Sequence, residues 1–124
     1  VYDPGDLLVI DLGQILPAGA TYTLTWRRKN SYINIATADM VVEESLNAGA
    51  GYSTNPVTPQ TTSTTNFITT NLVTQNPTRY IRLSELTGTN DDFDFDAVTY
   101  SFVIDKSETI FLVASSIRWS NTCC

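Results

Sequence analysis

Thr21-Tyr22-Thr23-Leu24-Thr25-Trp26-Arg27-Arg28 is the stretch that decides the fold. In an extended chain, Tyr22, Leu24 and Trp26 fall on one side and Thr21, Thr23, Thr25 and Arg27 on the other. A strict period of two marks a half-buried strand, because successive side chains of extended backbone point to opposite faces. Threonine is stiff and β-branched, which suits the solvated side of a sheet. The aromatic side is expected to face a core.

Working outward, Pro17-Ala18-Gly19 supplies a turn before this strand. Upstream, Leu7 to Leu12 is a short apolar run bounded by Pro4-Gly5 and Gly13, with Leu8, Ile10 and Leu12 on one face. Downstream, Ala38 to Glu44 places Met40 and Val42 on one face and Val41 on the other. Phe67–Val73, Arg79–Leu83, Phe93–Ile104 and Thr109–Trp119 are further strand candidates. No segment shows the 3.6-residue period of an amphipathic helix. Many short strands in 124 residues predict a single all-β domain over 1–124, a jelly-roll-like antiparallel β-sandwich, with 105–124 as a C-terminal extension or final strands. Its core is expected to hold Leu8, Ile10, Leu12, Tyr22, Leu24, Trp26, Ile81, Leu83, Val98 and Tyr100. The Gly-, Thr-, Asn- and Pro-rich stretch from Ala48 to Thr65 reads as a long surface connection or a binding loop.

Composition narrows function. The net charge of −6 argues against nucleic acid, since binding phosphates needs a basic surplus and only seven Lys and Arg are present. No window approaches the roughly 18 apolar residues of a membrane helix, so no membrane insertion is expected. No charged-then-apolar leader opens the sequence, so any export signal would have been removed or lie outside this stretch. With no histidine, the commonest general base and most transition-metal sites are missing. The serines lack a Gly-x-Ser-x-Gly setting. Glu43 and Glu44 are adjacent on a strand, hence on opposite faces, and make a poor carboxylate pair. No catalytic residue is expected, and the chain reads as a non-enzyme. The two cysteines, Cys123 and Cys124, are adjacent. Either their partners lie elsewhere or they cross-link neighbouring molecules in an oxidising compartment.

The densest chemical constellation is Asn90-Asp91-Asp92-Phe93-Asp94-Phe95-Asp96. In an extended chain Asp92, Asp94 and Asp96 share a face, about 6.6 Å apart along it. Val98, Tyr100 and Phe102 look like the buried face, and strict alternation would then turn Asp94 and Asp96 inward. An inward carboxylate needs compensation by structural Ca²⁺ or an arginine (Arg79 and Arg82 being candidates), unless a bulge reverses the register. The basic run Arg27-Arg28-Lys29 is either a solvated strand end or a partner for this Asp cluster. The alternative places Phe93, Phe95 and Ala97 inward and leaves the carboxylates in water. Tyr32, Tyr52 and Trp119 lie outside the clean core pattern, and each is either packing or a ring on which a sugar could stack.

Thr78-Arg79-Tyr80-Ile81-Arg82-Leu83 and Asp94-Phe95-Asp96-Ala97-Val98-Thr99-Tyr100 resemble strands of the galactose-binding-like jelly rolls, which include discoidin-type domains and carbohydrate-binding modules of similar fold. The opening Gly5-Asp6-Leu7-Leu8-Val9-Ile10-Asp11-Leu12-Gly13 is similar to an early strand of that family. The resemblance spans about residues 5 to 103, and the Thr-rich character looks like domains strung along large bacterial surface or secreted adhesins. It implies an extracellular carbohydrate-binding or adhesion module. It also implies that Asp96 ligates Ca²⁺, as in some members, and that a strand usually preceding the Gly5 segment comes from a neighbouring subunit or is absent. The rival reading is a structural subunit of a surface filament or layer that self-associates by strand exchange. A third, ice binding through Thr21-x-Thr23-x-Thr25, is weakened by the shortness of that array.

Overall fold

The computed structural model describes residues 7–28, 38–63, 65–85, 93–106 and 109–118; the side chains of residues 38, 85, 93, 94 and 102–118 lie outside that description. Every regular element among these residues is a strand: β1 (Leu7–Leu16), β2 (Thr21–Arg28), β3 (Ala38–Ser45), β4 (Ser53–Thr54), β5 (Gln60–Thr61), β6 (Ile68–Val73), β7 (Thr78–Glu85), β8 (Phe93–Lys106) and β9 (Thr109–Arg118). No helix is long and apolar enough to cross a membrane among the described residues.

The strands form two packed antiparallel sheets, one ordered β1-β7-β3-β4 with β5 added to β3, the other β6-β2-β8-β9. The chain changes sheet between β1 and β2, β2 and β3, β5 and β6, β6 and β7, and β7 and β8. The result is the expected jelly-roll-like antiparallel β-sandwich.

The alternation in β2 has its predicted consequence. Tyr22, Leu24 and Trp26 are buried, meeting Leu72 of β6, Val98, Tyr100 and Phe95 of β8, and Ile81, Leu83, Met40 and Val42 of the facing sheet in one core cluster. All expected core positions are buried except Leu8, which packs partly covered against the cluster. Between β1 and β2, Ala20 N–H bonds Pro17 O at 3.3 Å, and Gly19 holds φ +85° at the position of a type II turn that needs a positive φ. Thr74 locks this turn to the end of β6: its hydroxyl donates to Pro17 O at 2.6 Å and accepts from Ala20 N–H at 3.0 Å.

Two phenols reach across the core. Tyr100 O–H donates to Leu12 O at 2.7 Å, and Gln14 Nε2–H donates to Tyr100 Oη at 3.0 Å. Tyr22 O–H donates to Glu44 Oε2 on β3. The stretch Ala48–Thr65, read from sequence as a surface connection, is partly a packed element. It contributes β4 and β5 to the edge of β3 and buries Asn55, Pro59 and Thr61.

Candidate functional site

The Asp cluster is resolved by a bulge. Thr25 pairs with Ala97 and Trp26 with Phe95, so Asp96 is the extra residue. The slip lets Phe95, Val98 and Tyr100 all be buried, while Asp96 is partly exposed. The register reversal that a bulge would bring therefore occurs, and Asp96 is not turned fully into the core. Asp94 lies opposite Arg27 in the strand register. Its side chain, and Asp92 altogether, lie outside the described residues, so the Ca²⁺ expectation at Asp92, Asp94 and Asp96 falls largely outside them. Two of the arginines weighed as partners, Arg79 and Arg82, are engaged elsewhere. Arg79 binds Asp11 at 3.0 and 3.2 Å, and Arg82 binds Glu43 at 3.0 and 2.8 Å, both on the other sheet.

Glu43 and Glu44 do point to opposite faces. Glu43 is paired outside, whereas Glu44 is 3% exposed inside. Three donors converge on the Glu44 carboxyl: Tyr22 O–H, Asn55 Nδ2–H at 2.9 Å and Gln75 N–H at 3.1 Å. Asn55 Nδ2–H also reaches Val73 O at 2.9 Å, and Asn55 N–H reaches Val42 O at 2.7 Å. This node joins β2, β3, β6 and the β4–β5 segment. Sequence reading missed it, although Glu44 on the apolar Met40–Val42 face was the available signal. An open cleft of about 350 Å³ beside it is lined by Ser45, Asn47, Ser53 and Asn76, among others. Its best acceptor, Glu44, is already engaged, and Ser45 Oγ–H donates to Ala50 O to shape the loop.

Of the three aromatic candidates, Tyr32 and Trp119 lie outside the described residues. Tyr52 is partly buried, its hydroxyl donating to Ala48 O at 2.8 Å and its ring under the Arg82 guanidinium, 4.0 Å from ring centre. One face of that ring is thus covered by a side chain already fixed to Glu43, a packing arrangement rather than an open platform.

On the same sheet, the Arg79 guanidinium and the Gly13 N–H hold the Asp11 carboxyl below its usual range. Replacing Arg79 by Ala should raise the Asp11 titration midpoint toward the ordinary value, as followed by carboxyl NMR. The depressed value means that the pair stabilises the fold above the unfolded-state pKa and that this is lost as the pH falls. An unmoved midpoint would show that the pair is not formed in solution.

The outer face of the β6-β2-β8-β9 sheet is chemically different. Register aligns Val73, Thr21, Ser101 and Ala114 in one row, Asn71, Thr23, Thr99 and Ser116 in the next, and Thr69, Thr25, Ala97 and Arg118 in a third. Among these twelve positions only Arg118 is charged, and the row beyond them sets Arg27 opposite Asp94. The threonine array of β2 therefore continues in register into β6 and β8, with Ala97 buried beside it, and β9 adds Ala114, Ser116 and Arg118 by position. Rows repeat about 6.6–6.8 Å along the strands and columns about 4.8 Å across them. Thr21, Thr69, Asn71, Thr99 and Ser101 are exposed.

Comparison with family models, with characterised proteins and with solved structures finds no match to this chain.

Proposed function

We propose that the chain is a non-catalytic extracellular module that binds carbohydrate or mediates adhesion, with the outer face of the β6-β2-β8-β9 sheet as its contact surface. The observation that carries this reading is the three-row array of Thr, Ser and Asn with a single charge at its corner. Each threonine offers a donor, an acceptor and a methyl, which suits the mixed hydroxyl and C–H surface of a neutral sugar. A net charge of −6 disfavours anionic glycans. The resemblance of Thr78–Leu83 and Asp94–Tyr100 to galactose-binding-like jelly rolls points the same way.

The test is affinity electrophoresis through gels containing neutral polysaccharides. Retardation should survive added salt, because no ion pair is involved. Replacing Thr23 and Thr99 together by Lys should weaken it at least about tenfold, or about 1.4 kcal/mol, without unfolding the chain. Retention lost in Tyr52→Ala instead would move the site to the opposite sheet, and no retention by any neutral glycan would sink the carbohydrate reading. The adjacent Cys123 and Cys124 favour a second reading, a structural subunit of a surface filament or layer. A ladder of masses that collapses on reduction would support that one.

A further inference from the structure

The β8–β9 hairpin is longer than the sandwich that carries it. β2 pairs with β8 only as far as Ser101, which faces Thr21, the first residue of β2. Beyond that point residues 102–106 pair with 113–109 of β9 and, among the described residues, with nothing else. This arm is Phe102-Val103-Ile104-Asp105-Lys106 returning as Thr109-Ile110-Phe111-Leu112-Val113. By register, positions 102, 104, 111 and 113 share one face, and 103, 110 and 112 share the other. Both faces of a two-stranded ribbon therefore carry apolar residues. Such a ribbon is at best marginally stable alone in water.

Among the described residues no strand pairs with the far edge of β9, and residues 109–117 of β9 bear no charge.

β9 is complementary to itself. Antiparallel neighbours in a continuous sheet must meet residue to residue on the same face, so a two-fold axis perpendicular to the sheet passes through a residue. Ala114, opposite Ser101, is where the arm leaves the sandwich. An axis there pairs residues 110–113 of each copy with 118–115 of the other. Each arm then lies along the partner's sandwich and gains a third strand.

We infer that the chain forms a two-fold dimer through β9, joining two four-stranded sheets into one sheet of eight strands. The contact is isologous and closes, so it yields a dimer and not a fibre. It stands apart from whatever the hydroxyl face binds, although it would place two such faces side by side.

Sedimentation of the full chain with reductant present, which removes any contribution from Cys123 and Cys124, should give twice the 13.7 kDa of one chain. Ala114→Lys places two like charges on the axis and should give the single-chain mass with unchanged circular dichroism. Thr99→Lys, one strand inward on the same sheet, should remain dimeric. As a second readout, Ala114→Cys with Cys123 and Cys124 replaced by Ser should form a disulfide-linked dimer on mild oxidation. A wild-type chain at the mass of one copy, or an unlinked Ala114→Cys protein, overturns the inference.

Discussion

Trp26→Ala is expected to destabilise the fold by about 3–5 kcal/mol, the range for emptying a buried aromatic site. Trp26 is fully buried near the end of β2, between β6 and β8, with its indole N–H donating to Thr70 Oγ1 at 3.2 Å. The bulge that displaces Asp96 seats Phe95 opposite it. Collapse of the two sheets around the gap is resisted there, since the inter-sheet distance is also held by Tyr22 and Tyr100. Urea denaturation should show a lower midpoint with an unchanged slope. A loss below about 1 kcal/mol would mean that the ring does not fill the core as described.

Glu44→Ala should be nearly as damaging, at roughly 3 kcal/mol, through stranded donors rather than lost volume. Asn55 Nδ2 keeps Val73 O, but Tyr22 O–H and Gln75 N–H lose their acceptor. Tyr22→Phe should cost less, about 1 kcal/mol, because Glu44 retains two donors. Combining the two changes should cost less than the sum, as expected for groups in one network. A pH signature accompanies this. Burial first, and then the hydrogen bond to Glu44, push the Tyr22 phenol far above its ordinary 10.0. The folded chain keeps that proton where the unfolded chain begins to lose it, so the stabilisation is full below pH 10.0 and falls as the pH rises beyond it. The advantage of the wild type over Tyr22→Phe should therefore narrow above that pH. Strictly additive losses at every pH would show that Tyr22 and Glu44 do not act together.

The candidate binding surface was only partly legible. Thr21, Thr23 and Thr25 are visible as an array in β2, but their neighbours Asn71, Thr99 and Ser101 come from strands far away in the chain. Only the register sets them in rows. Tyr52 looked like a platform because a sequence shows an aromatic ring outside the core pattern. It does not show the Arg82 guanidinium laid over that ring.

Local periodicity determined seven of the nine described strands, all but β4 and β5, and the inner faces of β1, β2 and β7, because the two-residue repeat of extended backbone is a property of the chain itself. By that means Tyr22, Leu24, Trp26, Ile81 and Leu83 could be assigned to a core before any pairing was known. Tertiary structure alone decided the rest. Whether Asp96 turns in or out depends on one extra residue relative to β2, and a one-residue slip exchanges the faces of a strand. Glu44 is tolerable inside only because Tyr22, Asn55 and Gln75, from three other parts of the chain, bring it donors. The β8–β9 arm extends beyond β2 only because β2 starts at Thr21, level with Ser101. Each depends on which groups from distant parts of the chain meet, and that is set by closure of the two sheets rather than by local sequence.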